Sequence, residues 1–178
     1  MSGNSTRLGV GLASASSAVA GGLILIFVLG VMVGSWLGLR SGARRRLAVL
    51  ALVSGLLACA ATLASLGMVW PAVLAMTLAM GAENAVFDRD GAVDIGLTYM
   101  TGALVKLGQR LVVALRGGSA WRWATSLMLW AGLVSGAWLG ALAHERLGLR
   151  ALWLAAVAAA ALTAVAARLV TLRGAIRS

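Results

Sequence analysis

Residues 18–39 run without one charged side chain and stop at Arg40, with Arg44, Arg45 and Arg46 close behind. An apolar stretch of about 20 residues is what an α-helix needs to cross the hydrocarbon of a bilayer. Four more such stretches follow, at 47–69, 72–87, 124–143 and 151–170. The third is short and contains Glu83. The fifth contains Arg168, whose long side chain can reach the interface. Only 11% of the chain is charged and 61% is hydrophobic, too little polar surface to cover a soluble domain. Alternating segments of about 10 residues, the mark of a membrane β-barrel, are absent. The expectation is an all-α, polytopic membrane helix bundle of five spans.

The first stretch is too long for the apolar region of a signal peptide and is read as a retained span. Trp70, Trp121, Trp123 and Trp153 fall near stretch ends, as interfacial anchors do. Pro71 falls between the second and third stretches, and Trp70-Pro71 is expected to form the turn there.

The formal charge is +10, and every basic residue except Lys106 is an arginine. The arginines lie at stretch ends rather than on one polar face, so they read as topology signals and lipid contacts. The aromatic platforms that bind single-stranded nucleic acid are missing. Residues 95–115 are apolar but carry Lys106, Gln109 and Arg110. If they do not span, most basic residues share one face: the cluster at 40–46, those from Arg89 to Arg122, and the C-terminal tail. Only Arg7, Arg146 and Arg150 then lie opposite. If they span, the bias vanishes. The positive-inside rule therefore predicts a re-entrant or interfacial segment at 95–115, an outside N-terminus and a cytoplasmic C-terminus.

The chain also repeats itself. Met1-Ser2-Gly3-Asn4, then Arg7-Leu8-Gly9 and Leu12, match Met100-Thr101-Gly102-Ala103, then Lys106-Leu107-Gly108 and Leu111. Further on, Gly30, Gly34 and Trp36-Leu37-Gly38 match Gly132, Gly136 and Trp138-Leu139-Gly140, with three residues inserted between the two matches. Residues 1–71 form the first unit and 72–178 the second. The second opens with a short helix for which the first has no counterpart, so the first is expected to lack its opening helix. Three spans per unit would invert one unit relative to the other, as in many secondary transporters.

Four kinds of polar or small-residue feature stand out. Gly30, Gly34 and Gly38, like Gly132, Gly136 and Gly140, form a bare stripe on one helix face, which lets helices approach closely in lipid. Each stripe is expected to meet the other or a neighbouring helix. Glu83-Asn84 places a carboxylate and an amide in an apolar helix, where such groups mark functional sites or lie near a helix end that reaches water. Thr98, Tyr99, Thr101, Gly102 and Lys106 form the third feature. Gly102 is expected to break a helix and leave free amides beside a cation, a pattern that suits an anion. Gly3, Asn4 and Arg7 repeat it, and lipid phosphate is the competing ligand. Last, Asp88, Asp90 and Asp94 lack the closing glutamate of a calcium loop and read as a solvated turn.

His144-Glu145 has no second histidine and makes no metal site. Cys59, the single cysteine, reads as a small packing residue. Without a Ser-His-Asp set, a Walker loop or a dinucleotide fingerprint, the sequence supports neither an enzyme nor a cofactor.

Gly81-Ala82-Glu83-Asn84-Ala85-Val86-Phe87, Arg89-Asp90-Gly91, Thr98-Tyr99-Met100-Thr101-Gly102 and Leu107-Gly108 together resemble the YoaK-like bacterial transmembrane proteins, a family of unknown function. The resemblance covers most of the chain. It implies a bacterial inner-membrane protein with about six helices in full-length members, and a loose link to transport. The chain departs from that pattern at Glu83, where glutamine is usual, at Ala103, where asparagine is usual, and at Ser2, where threonine is usual.

Two functions are compatible with these features. One is a small-solute or anion permease, its site between the two Met-Ser/Thr-Gly segments. The other is a non-transporting scaffold or assembly partner that uses the glycine stripes. Expected partners are membrane lipids, a small anionic solute and a second copy of the chain.

Overall fold

The computed structural model describes residues 5, 6, 9, 15–89, 92–93, 100–117 and 121–175. Among these, helix dominates. The α-helices are α1 (Ala15–Ser41), α2 (Arg45–Ser65), α3 (Val69–Glu83), α4 (Met100–Leu115), α5 (Trp121–Leu147) and α6 (Leu152–Ala175). A two-residue antiparallel pair, β1 (Asp88–Arg89) and β2 (Ala92–Val93), follows α3.

Three continuous helical stretches are long and apolar enough to cross a membrane: Ser17–Ser65, Val69–Val86 and Trp123–Leu172. The first and third are 49 and 50 residues long. A straight helix of that length would measure about 75 Å, more than twice the bilayer core. Each is divided by a glycine in the left-handed region, Gly42 (φ 50°) and Gly148 (φ 57°). A residue with a Cβ pays for that conformation, and glycine does not. A 3-10 turn, Gly42–Arg44 in one case and Gly148–Ala151 in the other, then leads into the next helix. The two joints are built alike, and the helices that precede them are both 27 residues long.

The turn between α2 and α3 differs from the sequence expectation. Gly67, at φ 78°, makes the reversal, and the Met68 amide donates to the Leu63 carbonyl. Pro71 lies two residues inside α3 rather than in the turn. A first-turn proline costs no hydrogen bond, because the first amides of a helix have no acceptor within it.

Helix α3 packs against both α1 and α2, and α6 packs along α2. Val49 and Val53 of α2 meet Ala82, Ala85 and Val86 in the main buried cluster. The core side chains are small, so contact depends on close backbone approach rather than interlocking bulk. α2 and α6 run antiparallel. Ser54 Oγ lies 2.9 Å from Thr163 Oγ1, while Trp153 Nε1 donates to Ser65 Oγ at 3.1 Å. Moving up one helix moves down the other.

Helix α4 packs along α5. At 16 residues it measures about 24 Å, short of the bilayer core. Helical spacing puts Lys106, Gln109 and Arg110 on one face and leaves Leu104, Leu111 and Leu115 on the other. It is the one strongly amphipathic helix among those described.

Candidate functional site

The α1–α3 crossing is set by glycine. A Cβ on Gly30 would run into the Leu78 carbonyl oxygen and sit 3.1 Å from the Gly81 Cα. A Cβ on Gly81 would strike the Phe27 carbonyl oxygen and come within 3.0 Å of the Gly30 Cα. Four residues on, a Cβ at Gly34 would come within 2.9 Å of the Ala82 Cα. The contacts advance together along both chains, so α1 and α3 cross in parallel. Gly38 serves another purpose, making room for the Arg45 side chain. At Gly30 and Gly34 the first stripe thus meets α3 rather than the second stripe.

Glu83 and Asn84 sit at the end of this crossing. Asn84 is buried, and its Nδ2 donates to the Met80 carbonyl at 2.8 Å, one turn back. Glu83 is half-buried at the last residue of α3. Thr77, also buried, donates to the Val73 carbonyl at 2.8 Å. Thr77 and Asn84 thus bond back to their own helix, the usual way to keep such groups in an apolar setting.

The other half of the candidate site is on α4. Thr101 and Gly102 are in its first turn, and Lys106 is exposed one turn later. Gly102 does not break the helix as its type suggested. Glycine tolerates helical geometry at a cost of about 1 kcal/mol, which the packing of α4 on α5 offsets. The amides of the first turn still lack acceptors within α4. Arg110 Nη1 donates to the buried Ser126 Oγ at 2.7 Å and ties α4 to α5. Because α4 packs along α5, Glu83 and Asn84 belong to one packed group and Lys106 to another. Gly3, Asn4, Arg7, Thr98 and Tyr99 lie outside the described residues.

At the α1–α2 joint, the Arg40 guanidinium lies 3.9 Å from the centre of the Trp36 ring. This cation–π contact holds a basic side chain where a head-group region is expected. No set of three metal-ligating side chains occurs among the described residues.

The second stripe behaves unlike the first. Gly132, Gly136 and Gly140 have nothing within 4 Å of an added Cβ. Gly136 and Gly140 instead open onto a cleft of about 710 Å³. Its walls come from α5 (Leu139, Ala143), α6 (Leu152, Ala155) and the start of α3 (Ala72, Met76). Among the described residues, His144 is the one polar side chain on its wall. Periodicity showed the stripe in the sequence, but only the packing shows that no other part of the described chain meets it.

A UPF0700 transmembrane protein of Rhizobium meliloti (strain 1021) is 38% identical to the chain over 119 residues, which are 67% of the chain and 52% of that relative. The match spans about half the relative's length. No solved structure matches. The profile described as "Protein of unknown function (DUF1275)" matches residues 1–165, and the chain, a transmembrane protein, belongs to that family.

Proposed function

We propose that the chain is a small-solute permease of the bacterial inner membrane, built from two oppositely oriented units. The antiparallel pairing of α2 with α6 carries this reading. These helices occupy equivalent places in the two units, and equivalent helices of inverted repeats run in opposite directions. Their hydrogen-bonded contact, Ser54 to Thr163, would lie at the interface of the units. The matched joints at Gly42 and Gly148 support the same repeat. In this reading α1, α2, α3, α5 and α6 span, and amphipathic α4 lies at the interface. The YoaK-like resemblance is consistent with DUF1275 membership.

The solute in this proposal is a small anion. Lys106 and the first-turn amides of α4, which have no acceptor within that helix, supply positive potential. Glu83 carries a proton or a counter-ion at the end of α3. The chain catalyses no covalent reaction and uses no cofactor. The test is uptake of phosphate, sulfate and chloride into proteoliposomes that hold the purified chain. Lys106→Ala and Glu83→Gln should each lower uptake at least tenfold. Parental uptake in both variants would remove these residues from the site.

A second reading, a membrane assembly partner, draws on the open stripe at Gly132, Gly136 and Gly140. Gly136→Leu would then abolish co-purification with a partner while leaving flux unchanged. Gly34→Leu is unsuitable for this purpose, since Gly34 is used inside the chain.

A further inference from the structure

We propose that the α1–α2 joint is a binding site for one anionic phospholipid. Arg40 takes the lipid phosphate, the neighbouring arginines supply the field, and an acyl chain lies along α1 below Trp36. The proposal rests on the reading that α1 and α2 both span, but not on transport or on inversion of the units.

Charge marks the place. Between Trp36 and Arg46 stand four arginines and no acidic residue. Arg40, Arg44 and Arg46 are exposed, while Arg45 is half-buried with its side chain seated at Gly38. Arg44, Arg45 and Arg46 open α2, the end at which a helix dipole disfavours cations, so their placement does not serve the helix. A joint between two spanning helices meets the head-group layer.

Arg40 is already oriented. Its guanidinium lies 3.9 Å from the centre of the Trp36 ring. Stacking uses the face of that planar group and leaves its edge N–H groups to donate, and a phosphate accepts two of them side by side. A side chain held in place loses little freedom when its ligand arrives.

Below this pair is a lane for the acyl chain. Trp36, Met32, Leu29 and Leu25 recur on the Arg40 face of α1, away from the Gly30 and Gly34 contacts with α3, and all four are exposed. From Leu25 to Arg40 the lane is about 22 Å long, enough for the chain of one leaflet. Arginines above an apolar lane fit a molecule with an acidic head and a hydrocarbon tail. A free anion would use only the arginines. A zwitterionic head group would bring its own ammonium up to the arginines, which weakens the attraction, whereas a net-negative head group gains the whole of it.

The second joint supplies an internal contrast. The repeat aligns Trp36 with Trp138 and Arg40 with Leu142. Trp138 is exposed too, but it has no arginine one turn on. Beyond it, Arg146 and Arg150 are accompanied by Glu145. The same kind of joint is thus built there without the clamp.

The probe is phosphatidylglycerol, added to the purified chain in detergent micelles, with an equal amount of phosphatidylcholine as the comparison. Native mass spectrometry reads the lipid retained. One phosphatidylglycerol per chain should be held, roughly tenfold above phosphatidylcholine. Trp36→Leu and Arg40→Gln should each lower that retention roughly fivefold, with helicity and thermal midpoint in detergent kept. Arg150→Gln, at the other joint, should leave it unchanged. Equal retention of the two lipids, parental retention in both joint variants, or an equal loss in Arg150→Gln would overturn the proposal. So would displacement of the lipid by excess inorganic phosphate, which would make the joint a site for a free anion. In a Cys59→Ala background, Ala43→Cys separates the two failures. Labelling of that cysteine by an impermeant thiol reagent, with no lipid retained, rejects the lipid site alone. Shielding of it from both faces rejects the spanning reading.

Discussion

Gly30 and Gly81 face one another across the α1–α3 crossing: a Cβ on Gly30 would lie 3.1 Å from the Gly81 Cα, and one on Gly81 would lie 3.0 Å from the Gly30 Cα. Two helices meet here backbone to backbone. In lipid, where burial gives no hydrophobic gain, such contact is the main source of helix association. In the proposed two-unit reading, the pair also ties the units together, Gly30 in the first and Gly81 in the second.

Gly81→Ala should therefore be costly. The new methyl would meet the Phe27 carbonyl and the Gly30 backbone, neither of which can rotate away. Overpacking of this kind costs about 1–3 kcal/mol, with larger values when backbone must move. Gly140→Ala has open space and should change stability by less than about 0.5 kcal/mol. Reversible unfolding in mixed micelles compares the two. Equal effects would contradict the crossing.

Ser54 and Thr163 offer a second test. Each hydroxyl can also donate to its own helix, Ser54 to the Leu50 carbonyl and Thr163 to the Ala159 carbonyl, both at 2.8 Å. Each has one hydrogen, so one hydroxyl donates across the interface while the other keeps its backbone bond. A double-mutant cycle with Ser54→Ala and Thr163→Val should give a coupling of about 0.6 kcal/mol, the average for interhelical hydrogen bonds in membranes. A coupling indistinguishable from zero would mean that α2 and α6 do not meet at this point.

Helix α4 should lie on the membrane rather than through it. In a Cys59→Ala background, Gly102→Cys and Arg116→Cys mark its two ends. A membrane-impermeant thiol reagent should label both from the same face. Labelling from opposite faces would make α4 a sixth span and place Lys106 within the hydrocarbon.

Much of the fold was legible in the sequence because lipid imposes a simple rule. The charge-free run at 18–39 became α1, and the run at 47–69 became α2 with its ends shifted by the Gly67 turn. The basic residues Lys106 and Arg110 set the apolar segment 95–115 apart from the spans, and α4 lies within that segment. What the sequence could not reveal was partnership. Two glycine stripes look alike as text, yet one grips α3 and the other faces a cleft. Gly102 looked like a helix breaker, but a tertiary partner overrode its low propensity. Glu83 and Lys106, close in chain order and complementary in charge, went to separately packed helices because α4 docks on α5.

Inversion of the two proposed units is decided by sidedness. The Gly42 and Gly148 joints are equivalent turns, so inversion puts them on opposite faces. With Cys59→Ala throughout, Ala43→Cys and Leu149→Cys are each exposed to an impermeant thiol reagent in right-side-out and inside-out vesicles. Ala43→Cys should react from the cytoplasmic face, beside Arg44, Arg45 and Arg46, and Leu149→Cys from the other. Reaction of both cysteines from one face would contradict it.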